Sequence, residues 1–127
     1  MKSIFIAIPL CLISLTAFCQ TSASKLTYLS CDIPATEKEE ARHFDFTLDE
    51  ANSTVSFYVK EANAANVEKA IFSANSVTWT NKTRFSTLTR TISREDLSFT
   101  ENFEIDENTK RTATGTCKIV TPKTRKF

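Results

Sequence analysis

The sequence predicts an all-β domain, mainly antiparallel, built as a small barrel or sandwich of about six to eight strands. Beyond residue 19 the chain contains eighteen threonines and eight phenylalanines, which fit a pleated and half-buried surface. Apolar and polar residues alternate in several short runs, as they do in strands that bury one face. Two cysteines, Cys31 and Cys117, lie near the two ends of this part and predict a single disulfide.

The first strands are marked by this alternation. Residues 43–48 place Phe44, Phe46 and Leu48 on one face, and residues 55–59 repeat the pattern. The segment between them, 49–53, is rich in Asp, Asn and Ser, so it predicts a hairpin loop. In a small up-and-down barrel the disulfide would join the first strand to the last, because those strands are neighbours.

Two segments have a less regular pattern. Ala64, Val67 and Ile71 recur at helical spacing and predict one short helix near 63–72, although the end of this stretch also fits a strand. Residues 36–39 form a T-x-x-E capping-box pattern, which fits either a single helical turn or a charged loop.

A charged pair is expected inside the hairpin that turns at residues 93–96. If Glu95 and Asp96 form a two-residue turn, Arg90 faces Glu101 across two strands whose same-face neighbours are apolar. This predicts an ion pair on an apolar face. The pair is either a charged anchor within a ligand cavity or a structural pair that fixes the strand register.

Residues 1–19 predict a secretory signal peptide. Lys2 precedes an apolar run over 4–13, and cleavage after Cys19 would place Ala17 and Cys19 at the two small-residue positions of the cleavage site. The run is shorter than the roughly 20 apolar residues of a helix that spans a bilayer. We therefore expect residues 20–127 to be one secreted or periplasmic domain; the alternative is a lipoprotein modified at Cys19.

The charge of the chain does not favour nucleic-acid binding. Without Lys2 the chain has fifteen basic and fifteen acidic residues, whereas nucleic-acid-binding domains are usually basic. Acidic residues are concentrated over 37–50 and basic residues over 108–127. The two segments either meet in the fold, remain solvated, or present the basic one to an anionic partner.

Few residues suit catalysis or metal binding. His43 is the only histidine, and its alternation with Phe44 points it to solvent, so a Ser–His–Asp arrangement is not expected. One histidine and two bridged cysteines do not make a zinc or copper site. We predict no enzymatic activity, no cofactor and no metal. Trp79 and Tyr58 are candidate residues of an interaction surface.

Gly115 is the only glycine, and it lies within a strand pattern, which predicts a bulge or a close backbone approach. The segment Gly115-Thr116-Cys117-Lys118, with the early Cys31 and the terminal Phe127, resembles small secreted bacterial proteins of unknown function. The resemblance implies a secreted or periplasmic β domain and carries no activity with it.

Three function classes follow from these observations. The first is a non-enzymatic, monomeric module that binds a protein or an envelope component, which the missing catalytic residues favour. The second is a small-ligand barrel in which Arg90, Glu101 and phenylalanines line a cavity. The third is a hydrolase that uses exposed carboxylates.

Overall fold

The computed structural model describes residues 25–59 and 63–122; the predicted signal peptide, 1–19, with Cys19, lies outside these residues. The described residues form nine antiparallel strands in a nearly closed barrel and no helix, so the predicted all-β class is confirmed with one strand more than expected. The strands are β1 (Leu26–Ile33), β2 (Arg42–Asp49), β3 (Thr54–Val59), β4 (Ala64–Lys69), β5 (Ile71–Phe72), β6 (Ser76–Lys82), β7 (Thr87–Ser93), β8 (Ser98–Glu104) and β9 (Lys110–Ile119).

The strand order is β4-β3-β2-β1-β9-β8-β7-β6-β5, so the first and last strands are neighbours in the middle of the sheet. Cys31 on β1 and Cys117 on β9 lie directly opposite each other and form the predicted disulfide. The bridge therefore joins the two ends of the folded chain, as expected for an up-and-down barrel.

The short helix predicted near 63–72 is wrong, because this segment forms β4 and β5. Val67 and Ile71 are 66% and 73% exposed, so the apolar residues that suggested a buried helical face lie on the outside of the barrel. Ala70, between the two strands, is buried, and its N–H donates a hydrogen bond to the carbonyl oxygen of Ser53 at 2.9 Å. At this corner the chain stops pairing with β3, the partner of β4, and begins to pair with β6, the partner of β5.

Local hydrogen bonds decide the two turn predictions. Residues 36–39 form a loop in which the N–H groups of Lys38 and Glu39 donate to Thr36 Oγ1, so the charged-loop alternative holds.

The connection between β7 and β8 covers residues 94–97 and is wider than a two-residue turn. Leu97 adopts a left-handed conformation there (φ 58°), and its N–H donates to the Ser93 carbonyl oxygen. The register remains the predicted one, with Arg90 opposite Glu101.

The middle of the barrel is filled by aromatic side chains. Phe46 is almost fully buried, and its ring meets the rings of Phe57, Trp79 and Phe99 edge-on at centroid distances of 5.9, 5.0 and 5.5 Å. Aromatic pairs favour such edge-to-face contacts over face-to-face stacking. The interior is therefore a packed core, and space for a ligand must lie towards the ends.

Gly115 confirms the predicted close approach of two backbones. A Cβ atom at this position would lie 2.2 Å from the carbonyl oxygen of Asp32 on β1. Because that neighbour is backbone, it cannot move aside as a flexible side chain would. The glycine thus lets β9 lie against β1 beside the disulfide.

Candidate functional site at one end of the barrel

A recess of about 600 Å³ opens at the end of the barrel where β2, β7 and β9 begin and β8 ends. Side chains from these four strands and from the segment between β1 and β2 form its wall. The lining residues are Glu39, Glu40, Ala41, Arg42, Leu88, Arg90, Glu101, Phe103, Arg111 and Ala113.

The predicted pair of Arg90 and Glu101 lies in this recess. Arg90 Nε donates a hydrogen bond to Glu101 Oε2 at 2.9 Å, and the two side chains are only 11% and 7% exposed. Arg42 Nη1 donates to the other carboxylate oxygen, Oε1, at 2.6 Å. Both oxygens of Glu101 are therefore held by guanidinium groups, which is the arrangement a buried carboxylate needs.

Aromatic rings support the buried guanidinium group. Arg90 Cζ lies 5.0 Å from the ring centroid of Phe44 and 5.5 Å from that of Phe57. Arg42 Cζ lies 5.8 Å from the same Phe44 ring. Cations are attracted to the negative faces of aromatic rings, and more strongly where water is excluded. The rings of β2 and β3 thus complete the floor that the ion pair forms.

At the rim of the recess Glu39 joins two strands that are far apart in sequence. Its Oε1 accepts a hydrogen bond from Arg111 Nη1 at 3.1 Å, and its Oε2 lies 3.8 Å from Arg42 Nη2. Glu39 belongs to the acidic segment 37–50 and Arg111 to the basic segment 108–127. The two segments therefore meet at this point, one of the alternatives that the sequence left open.

One wall of the recess is apolar. Leu88, Phe103 and Ala113 lie on β7, β8 and β9 beside the charged floor. Their strand positions alternate with outward-facing residues. The pattern that builds the core therefore continues to the end of the barrel where the recess opens, which we call the mouth. The recess thus combines an apolar wall with six charged side chains, five of which bond one another.

Sequence reasoning found Arg90 and Glu101 but missed Arg42, Glu39 and Arg111. Arg90 and Glu101 are adjacent in a hairpin, so local register was sufficient. The other three reach the site from separate parts of the chain. The only sequence signal for them was the opposite charge of the two segments that meet here.

The two aromatic residues predicted for an interaction surface differ in exposure. The prediction for Trp79 is wrong, because its side chain is 2% exposed and packs in the core against Phe46. It alternates with the outward-facing Thr78, as Val77 does, and this alternation turns it inward. Tyr58 is 57% exposed on the outer face of β3, where its hydroxyl donates a hydrogen bond to Asn63 Oδ1.

His43 is half exposed on the outside of the barrel and lies between two carboxylates. Its Nδ1 is 2.6 Å from Asp32 Oδ1 on β1, and its Nε2 is 3.0 Å from Asp45 Oδ1 on β2. The hydrogen bond with Asp32 is the main cause that raises the pKa of His43, with a smaller contribution from Asp45 and some opposition from burial. The imidazole thus ties β1 to β2 at the surface.

Comparisons with known proteins found no match among protein-family models, curated proteins or solved structures. Within residues 25–59 and 63–122, no group of three or more His, Cys, Asp or Glu side chains is arranged to hold a metal ion. The same residues contain no helix long and apolar enough to cross a membrane.

Proposed function

We propose that this protein is a non-enzymatic binding module that holds a small ligand in the recess at the mouth of its barrel. The observation that carries the proposal is the Arg90–Glu101 pair, almost fully buried yet placed at the floor of an open space of about 600 Å³. Ligand sites usually measure about 300–1,000 Å³ and combine apolar walls with a few fixed polar groups.

The chemistry of the recess favours binding over catalysis. Glu101 accepts hydrogen bonds from guanidinium groups at both oxygens, so it is poorly placed to take a proton from a substrate. Arginine does not release its proton in proteins. His43, the only histidine of the chain, lies outside the barrel with both ring nitrogens beside carboxylates.

Export of the protein belongs to the same proposal. A disulfide in the folded domain fits an oxidising compartment, and the predicted signal peptide over 1–19 provides the route. The resemblance to small secreted bacterial proteins supports this location. We expect the exported protein to be a monomer that binds no nucleic acid.

The proposal can be tested by screening the oxidised protein against a panel of small apolar, acidic and basic ligands. Native mass spectrometry should show a complex with one ligand per chain, and the melting temperature should rise with ligand concentration. Ala113→Phe, which adds a ring to the wall of the recess, should abolish binding. Ala65→Phe, the same change at an exposed site on β4, should leave binding unchanged. Equal binding by both variants would contradict the proposal.

A second candidate function is the binding of a protein or envelope component, the class that the sequence favoured. Its supporting observation is that Tyr58, Val67 and Ile71, on β3 to β5, are 57%, 66% and 73% exposed. Affinity capture from the native envelope with wild type and Val67→Lys tests it. One partner retained in stoichiometric amount by wild type and lost by the variant would support this function, and equal retention would count against it.

A further inference from the structure

We propose that the ligand of the recess is a small acid with one carboxylate and an apolar body, and that Glu39 holds the place of that carboxylate in the free protein. This inference rests on the proposed function and names the chemical class of its ligand. It is argued from a difference between Glu39 and Glu101, the two carboxylates that contact the arginines of the recess. They differ in burial and in how tightly the arginines hold them.

Glu101 is a fixed part of the site. It lies on β8 within the sheet, its side chain is 7% exposed, and its partners hold it at 2.6 and 2.9 Å. Removing it would leave Arg90 buried without a counter-charge. A ligand therefore binds above Glu101 and does not replace it.

Glu39 is attached differently. It lies in the irregular segment between β1 and β2, its side chain is 35% exposed, and its contacts with Arg111 and Arg42 are 3.1 and 3.8 Å long. An exposed ion pair of this kind contributes little to stability, so a competing anion can displace it at little cost. The two guanidinium groups remain where their strands place them.

The geometry that Glu39 satisfies is the one a ligand carboxylate needs. Planar guanidinium groups match the two oxygens of a carboxylate, and here they approach one carboxylate from two strands, β2 and β9. Next to them the wall of Leu88, Phe103 and Ala113 offers apolar contact. A carboxylate attached to an aliphatic or aromatic body satisfies both surfaces at once.

The charge of the recess selects against a multiply charged anion. Among the residues that the structure describes, three arginines and three glutamates line it, so their formal charges cancel. A second negative charge would meet Glu101 or Glu40, and the described lining residues offer no further cation to balance it. A single carboxylate that exchanges with Glu39 leaves the balance unchanged.

The test compares octanoate, 1-octanol and inorganic phosphate by isothermal titration calorimetry on wild type, Glu39→Gln and Glu37→Gln. Octanoate should bind wild type, and Glu39→Gln should bind it about fivefold more tightly because the internal competitor is weakened. Glu37→Gln removes the same charge from the same segment at an exposed residue outside the lining set, and should match wild type. Phosphate should not bind.

Two results separate the failure of this inference from the failure of the proposed function. If 1-octanol binds as tightly as octanoate, and Ala113→Phe abolishes both, the recess is a ligand site but the carboxylate assignment is wrong. If neither octyl compound nor any other ligand of the panel binds wild type or Glu39→Gln, both proposals are overturned. An unchanged octanoate affinity in Glu39→Gln would overturn the role of Glu39.

Discussion

The two ends of the barrel each carry an arginine–glutamate pair, and the pairs differ in their surroundings. At the mouth, Arg90 and Glu101 are 11% and 7% exposed beneath a recess of about 600 Å³. At the opposite end, Arg94 bonds Glu50 between two loops, with side chains 37% and 57% exposed beside a recess of about 180 Å³. The exposed pair joins loops, as surface ion pairs commonly do. The buried pair has two further supports, the aromatic rings and Arg42, because a charge removed from water needs its remaining hydrogen-bonding capacity satisfied, whereas solvent does this for the exposed pair.

The largest expected effect comes from the disulfide that joins β1 to β9. Reduction of the Cys31–Cys117 disulfide should lower the free energy of unfolding by about 4–5 kcal/mol, because it releases a loop that spans most of the domain. That amount is comparable to the whole stability of a marginal domain, about 5–15 kcal/mol. Thermal melts with and without reductant measure it. Coincident melts would mean that the bridge contributes little to the stability of either end.

The second prediction breaks the buried pair at the mouth. Glu101→Leu should cost about 3–5 kcal/mol, because it leaves Arg90 in the interior without its counter-charge. Arg90→Ala should cost less, since Glu101 keeps its hydrogen bond with Arg42. Chemical denaturation gives both values.

The double variant Arg90→Met/Glu101→Leu sharpens this result. It should be about as stable as wild type, because apolar residues of similar volume often replace a buried pair without loss. It should nevertheless lose ligand binding. A double variant that is destabilised as strongly as Glu101→Leu would show that the pair serves the fold.

The third prediction concerns the pair at the opposite end. Arg94→Ala removes the exposed contact with Glu50 and a hydrogen bond to the Ser73 carbonyl oxygen, and should lower the melting temperature far less than Glu101→Leu, because solvent and salt screen such contacts. The hydrogen bond from Arg94 is also the main cause that lowers the pKa of Glu50, so this variant should return that pKa towards its ordinary value. A carbon-detected NMR titration follows the carboxylate. A large loss of stability would remove the contrast between the two ends.

The smallest expected effect lies on the outer face, at His43. Its pKa is raised in the folded protein, chiefly by Asp32, so protonation stabilises the fold at pH values below the ordinary histidine pKa of about 6.5. This contribution is lost as the pH rises through the raised pKa. Because the side chain is half exposed, we expect less than about 1 kcal/mol. Denaturation of wild type and His43→Gln at pH 5 and pH 9 should show the difference only at pH 5.

The fold was predictable from the sequence where the determining contacts are local. Alternation identified the faces of β2, β3, β7 and β8, and the β7–β8 hairpin placed Arg90 opposite Glu101. The lone glycine within a strand pattern indicated a bulge or a close backbone approach, and the structure shows the backbone approach.

The remaining features depend on how the barrel closes. At Ala70 the chain changes its pairing partner from β3 to β6. Nothing in the sequence of residues 63–72 distinguishes an outward-facing Val67 from a buried one. Glu39 and Arg111 come together because β1 and β9 pair, although they lie far apart in sequence. Contacts of this kind follow from topology, which the local pattern does not specify.

The central claim, that the mouth of the barrel is the ligand site, is tested most directly by titrating ¹⁵N-labelled oxidised protein with octanoate and following the amide resonances. We predict that the chemical-shift changes cluster around Arg42, Leu88, Glu101 and Ala113, and that the amides of residues 94–97 at the opposite end do not move. Shift changes confined to the opposite end, or none at all at saturating octanoate, would contradict the account.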